Sequence, residues 1–333
     1  SFVDTVDFDP GVGLYNLVGT NGNAFVLKLN TLGNFVWAKE ITGSNSAEGL
    51  SIVVDNIGNV ISTGYFRGTI DADPSTDTYN LTSNGLGDIY IQKLDNSGNF
   101  IWAKSFGGNK SDFGNAITVD PSGNIYLTGD FGDTVDFNPN TGINDLIAVG
   151  FFDVFIQKLD SGGNFVWAKQ IKGSDIKVGN AIFVDDNENV YSTGLFYGTA
   201  DFDPDTSTFN LTSIGAADIY IQKINSSGTL VWAKSMGGSA NDGGYGIAFD
   251  GSQSVYTTGI FSNTTDFNPD ASVYNLTSAG SFDIFIQKLG VTNLVDINKI
   301  EQPKTKLYPN PSNGLITIEL GDLKNVSVKV FTI

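Results

Sequence analysis

The sequence predicts an all-β fold built from repeated four-stranded antiparallel sheets, a β-propeller, on three observations. Trp37, Trp102, Trp167 and Trp232 stand 65 residues apart, each inside a closely related string: NFVWAKE, NFIWAKS, NFVWAKQ and TLVWAKS. Each period is filled with short apolar or alternating segments of strand length bounded by Gly, Asn and Asp, with no convincing helical apolar period. Of the 36 acidic residues only five are Glu; the rest are Asp, which hydrogen-bonds its own backbone in turns, so the chain has many turns and few helices.

The same period governs Lys28, Lys93, Lys158, Lys223 and Lys288 in the IQKL-type segments, Asp55, Asp120, Asp185 and Asp250 in turns, and Gly64, Gly129, Gly194 and Gly259 in the xTG segments. A unit of this length reads as one supersecondary element that buries its apolar face by stacking on copies of itself. In the unit spanning 49–106, residues 51–55 (SIVVD) and 60–66 (VISTGYF) form a hairpin across the loop 56–59 (NIGN). A connector carrying Asp71, Asp73 and Pro74 leads to a short edge strand at 78–82 (TYNLT). Residues 88–94 (DIYIQKL) and 99–106 (NFIWAKSF) form a second hairpin across 95–98 (DNSG). Two hairpins give a four-stranded sheet, and covering both of its faces with copies explains why the strands are apolar nearly throughout. A β-helix coil, roughly 20–30 residues, is far shorter than this period.

Composition narrows the chemistry. The absence of Cys and His removes disulfides, thiolate nucleophiles, imidazole bases and the usual zinc ligands. A net charge of −18 opposes binding to nucleic acid or anionic lipid and favours cations. No apolar run is long enough for a transmembrane helix.

The string GNAITVDPSGNIYLTGDFGDTVDFNP (114–139), followed by DVFIQKLDSGGNFVWAK (153–169), resembles the SBBP β-propeller repeat family, and the resemblance extends over about 1–290. It implies a propeller, the family name denoting a seven-bladed one. LDNSGNFIWAK (94–104) is more weakly similar to the blade signature of quinoprotein dehydrogenases, which shared blade packing explains without quinone chemistry. Residues 1–7 align with 65–71, so the first blade lacks its first hairpin, and five IQKL-type strands stand against four VxxTG-type hairpins. About five blades or partial blades are expected, either as an irregularly closed ring or as the C-terminal part of a larger one.

Beyond a linker at 291–305 the texture changes. Tyr308, Pro309, Asn310, Pro311 and Gly314 lie in YPNPSNG, followed by alternation at Ile316, Ile318 and Leu320 and a further strand at Val326, Val328 and Val330. Residues 306–333 resemble the C-terminal sorting domain of proteins exported by the type IX secretion system of Bacteroidota, cut short at Ile333. That resemblance implies a small partial β-sandwich, the export machinery as a partner, and an extracellular or outer-membrane surface location.

Four sets of residues compete for function. The tryptophans recur between apolar neighbours and read as core wedges between blades. The lysine ladder recurs in every unit, which points to structural ion pairs with the repeated Asp and away from a single Schiff-base or general-base residue. The turn aspartates read as Asx turns. The D-x-[DN]-P element pairs Asp7/Asp9, Asp71/Asp73, Asp136/Asn138, Asp201/Asp203 and Asp266/Asn268, hard oxygen ligands that suit calcium and equally suit a tight turn before proline. No catalytic residue is expected, and Ca2+ is the one candidate cofactor. The expected role is a binding, adhesion or scaffolding module for an extracellular glycan or protein. A calcium-dependent carbohydrate-binding protein and a polysaccharide-active propeller enzyme are the alternatives. An active site would break the repeat's symmetry; the least symmetric segment, 138–152, changes mostly to apolar residues.

Overall fold

A computed structural model describes residues 1–251, 254–270, 272–290, 306–308 and 317–319. Every regular element among them is a β-strand. In the second unit Ala47–Val54 pairs with Val60–Phe66, which pairs with Asp88–Leu94, which pairs with Phe100–Phe106, all antiparallel. Two units repeat this order: Phe113–Val119, Ile125–Phe131, Asp153–Leu159 and Phe165–Gly173, then Lys177–Val184, Val190–Phe196, Asp218–Ile224 and Leu230–Gly238. The two hairpins per period therefore form the expected sheet. Gly243–Phe249, Val255–Phe261 and Asp283–Leu289 make a three-stranded fifth sheet, and in the first unit Phe2–Asp7 takes the place beside Asn16–Leu29, which pairs with Phe35–Gly43.

The repeated glycine of the xTG segments has a steric reason. The first strand of each unit bulges opposite it, and a Cβ on Gly64 would lie 1.8 Å from the carbonyl oxygen of Glu48; Gly129 and Gly194 face the same obstruction.

The sheets stack face to face, with first strands adjacent to first strands from unit to unit. The cores lie between sheets: Ile61, Ile89 and Ile91 of the second close on Ile117, Leu127 and Phe155 of the third. Tyr126 and Ile156 of the third close likewise on Ile182 and Val190 of the fourth. This double covering makes the IQKL-type strands of the second and third units buried along their whole length.

Two features differ from the expectation. The DxDP segment is a two-stranded clip, and it belongs to its neighbour as much as to its own unit. Thr69–Asp71 pairs with Asn80–Thr82 and also with the outer strand of the preceding sheet, Asp71 opposite Thr42; Asp201 opposite Lys172 and Asp266 opposite Gly237 repeat the arrangement. The tryptophans occupy equivalent positions opposite the ladder lysines, but only Trp37 is buried; Trp102, Trp167 and Trp232 are half-buried. Trp37, Trp102 and Trp167 sit on outer strands under the hairpin turn of the next unit, where the Trp37 and Trp167 Nε1 atoms donate to the Asn96 and Ser226 carbonyls and Gly163 lies against the Trp102 ring. Part of the Trp102, Trp167 and Trp232 indoles is left in solvent.

The chain divides into two compact units, Ser1–Gly290 and Val291–Ile333. In the second, Lys306–Tyr308 pairs antiparallel with Thr317–Glu319, Leu307 opposite Ile318. Tyr308 thus ends a strand, whereas Pro309, Asn310, Pro311 and Gly314 lie outside the described residues. No helix among the described residues is long and apolar enough to cross a membrane.

Candidate functional site

The D-x-[DN]-P residues fold locally into Asx turns. The first Asp of each pair accepts two backbone amides on one oxygen: Asp7 from Asp9 and Tyr15, Asp71 from Asp73 and Tyr79, Asp136 from Asn138 and Asn144, Asp201 from Asp203 and Phe209, Asp266 from Asn268 and Tyr274. The second residue accepts an amide two positions on, as Asp9 does from Gly11, Asp73 from Ser75 and Asp203 from Asp205. Asn138 and Asn268 do the same for Asn140 and Asp270. The Tyr15 and Asp9 amides hold the exposed Asp7 carboxyl below its ordinary range. These bonds tie both ends of each clip, and among the described residues no third acidic side chain joins a pair to complete a metal-binding group.

The lysine ladder divides by unit. Lys93 reaches Asp55 at 3.2 Å and Lys288 reaches Asp250 at 3.5 Å, the expected pairing. Lys158 instead meets Glu188 of the next unit at 2.8 Å, and Lys28 meets Asn96. Lys158, Lys223 and Lys288 also lie over the rings of Tyr126, Tyr191 and Tyr256 at 5.0–5.1 Å. Asp55, Asp120 and Asp185 cap their own hairpin turns through two backbone amides each, so ladder and turns are structural.

A concave site forms where the repeat is least symmetric. A cleft of about 540 Å³ is lined by Leu86, Lys110, Ser111, Asp133, Phe151 and Phe152 among others. Phe151 is 72% exposed and Leu86 61%, and the Phe151 and Phe152 rings meet edge to face at 5.0 Å. All lie in loops at one end of the sheets, where the outer strand of one unit hands over to the first strand of the next. Asp133 stands in the left-handed region, φ 62°, at the position held by Gly68 and Gly198 in neighbouring units. Asp tolerates that conformation, so the third unit gains a carboxylate there without rebuilding the turn. The cleft therefore offers an apolar aromatic wall with one ammonium, one hydroxyl and one carboxylate at its rim, the composition of a ligand pocket. The asymmetry of 138–152 points to this place; its partners Leu86, Lys110 and Ser111 come from the preceding unit and carry no signature in the sequence.

Residues 101–130 match the β-propeller repeat (SBBP) family. The chain is also 25% identical over 271 residues, 72% of its own length, to an uncharacterised WD repeat-containing protein of Acanthamoeba polyphaga mimivirus. It spans 19% of the length of that relative. Repeat period, sheet order and both similarities agree: the chain is a β-propeller repeat protein.

Proposed function

We propose that this protein is a ligand-binding module displayed outside a Bacteroidota cell, and that the cleft at Phe151 is where it binds. The observation that carries the reading is an exposed aromatic wall at the segment where an even repeat departs furthest from its pattern. A binding surface has reason to depart from repeat symmetry at one place, whereas packing residues recur in every unit. Phe151 and Leu86 provide an apolar platform suited to the face of a sugar ring, with Lys110, Ser111 and Asp133 placed for hydroxyl groups, so an extracellular glycan is the ligand class to test first. The YPNPSNG string supports export through a type IX machinery and a location at the cell surface. Binding and scaffolding, without turnover, is the role the evenness of the remaining repeat favours.

The test is a glycan-array screen of the full chain beside its Phe151→Ala variant. Binding by the parent and at least tenfold weaker binding by the variant, ~1.4 kcal/mol, support the reading. Glycan binding that Phe151→Ala leaves intact moves the site elsewhere, and no binding to any glycan removes the glycan assignment.

A further inference from the structure

Where one sheet hands over to the next, a residue at the start of the third strand and one at the start of the following unit's first strand hold equivalent positions from junction to junction, and at one junction they meet as the Asp153–Lys177 ion pair. At successive junctions these are Asn23 and Ala47, Asp88 and Asp112, Asp153 and Lys177, and Asp218 and Asp242. All eight are buried. The junctions carry no formal charge, two carboxylates, an ion pair, and two carboxylates again.

The ion pair shows what the position does. Lys177 and Asp153 have no exposed side-chain surface, and the Lys177 ammonium lies 3.0 Å from Asp153 Oδ1. It also donates to the carbonyls of Gly173 at 2.7 Å and Asp175 at 2.5 Å, so a cation sits in a cage of oxygens. Asp153 Oδ2 accepts the Val149 amide at 2.8 Å, which orients the carboxylate and leaves Oδ1 facing the ammonium.

Asp88 and Asp218 make the same orienting bond, Oδ2 accepting the amides of Asn84 and Ile214 at 3.0 Å. Their Oδ1 atoms are buried and have no hydrogen-bond partner. At the Asp88/Asp112 junction the carbonyl corresponding to Gly173 is also in place: Gly173 O lies 2.6 Å from where a Cβ on Gly150 would stand, and Gly108 O lies 2.5 Å from the same point on Gly85, whereas the equivalent point on Gly215 meets Ser239 O at 2.6 Å. In both units the lysine is replaced by an aspartate, Asp112 or Asp242. Asp112 accepts the Gly108 and Gly132 amides, and Asp242 accepts the Gly238 and Ser262 amides and the Thr265 hydroxyl. Carboxylate oxygens so engaged keep further lone pairs. Two buried carboxylates without a counter-charge are costly, and an unpartnered oxygen adds to the cost.

We propose that the Asp88/Asp112 and Asp218/Asp242 junctions are two buried sites for a hard divalent cation, each taking the place that the Lys177 ammonium holds in the junction between them. The donors are all oxygens, the chemistry of calcium, with backbone carbonyls and water completing each shell. These sites are distinct from the D-x-[DN]-P clips, where among the described residues no buried carboxylate oxygen is left without a hydrogen-bond partner.

The test is isothermal titration of the chelator-treated full chain with calcium at neutral pH, with the melting temperature measured alongside. The expected result is about two ions per chain, by the count of junctions, and a raised melting temperature. Asp112→Lys, which copies the Asp153/Lys177 junction, should reduce the stoichiometry to about one. Asp112→Asn serves as the second variant should the lysine not be accommodated, and should weaken one site at least tenfold. No calcium binding, or binding that neither variant changes, overturns the proposal: the first outcome leaves protons shared by the carboxyl pairs, and a stoichiometry near five insensitive to Asp112 places calcium in the clips.

Discussion

The strand DIYIQKL at 88–94 and the strand DIFIQKL at 283–289 differ at one residue, yet their environments are opposite. Ile89 and Ile91 have no exposed surface; Ile284 is 76% exposed and Ile286 81%. Both strands pair with a VxxTG-type partner in the same register, Ile91 opposite Thr63 and Ile286 opposite Thr258. The inner strand has a neighbouring sheet on its outward face, and the described residues place none on the last. Burial in this fold is therefore a property of the junction between units and not of the unit, as stacking requires.

That contrast predicts unequal costs for equal substitutions. The largest effect belongs to the buried ion pair: Lys177→Ala strands Asp153 inside a junction and should cost about 3–5 kcal/mol in denaturant unfolding. Lys288→Ala, which removes half of a solvated pair at the last sheet, should cost at most about 1 kcal/mol. Equal losses would mean that the Lys177 cage is open to water. Next in size, Ile91→Ala should cost about 2–5 kcal/mol through the cavity it leaves, while Ile286→Ala should fall within about 0.5 kcal/mol of the parent. A costly Ile286→Ala would show that something covers the last sheet in solution.

The smallest effect is a pH dependence. Burial raises the Asp185 carboxyl, but the side-chain and backbone hydrogen bonds from Asn189 and the Asn187 amide outweigh it and hold the group below its ordinary value of 3.8. A folded value below the unfolded one contributes stability that is present above the unfolded pKa and is lost as pH falls through the folded one. Thermal melts between about pH 5 and pH 2 should therefore fall less steeply for Asp185→Asn than for the parent. Identical slopes would exclude Asp185 from acid unfolding and leave that role to other carboxylates, such as Asp55, held low in the same way.

Most of the fold was legible because each strand announces itself locally. The hairpins expected at 51–66 and 88–106 appear as Ala47–Val54 with Val60–Phe66 and Asp88–Leu94 with Phe100–Phe106, since alternation, turn glycines and Asx residues act within a few positions. The clip's second pairing was not legible, because Asp71 opposite Thr42 depends on how two units dock. The half-burial of Trp102 was hidden for the same reason: periodicity marks equivalence but not how close a position lies to the sheet edge. At the candidate site, the departure at 138–152 was visible and the cleft was not, because Leu86 and Lys110 reach it from another unit. The change from Asp112 to Lys177 to Asp242 is plain in the aligned units, but its meaning required the partners Asp88, Asp153 and Asp218, 24 residues upstream across a junction.

The clip at Thr69–Asp71 has a mechanical consequence. Because the segments at 69–71, 199–201 and 264–266 are each hydrogen-bonded to the last residues of the previous outer strand, no cut at those three junctions separates one repeat cleanly from the next. An excised single period would carry a clip with nothing to lie on and an outer strand with nothing lying on it. The smallest piece able to stand alone must hold at least two consecutive periods, and pulling on the chain should release repeats in coupled groups, with each extraction loosening the one behind it.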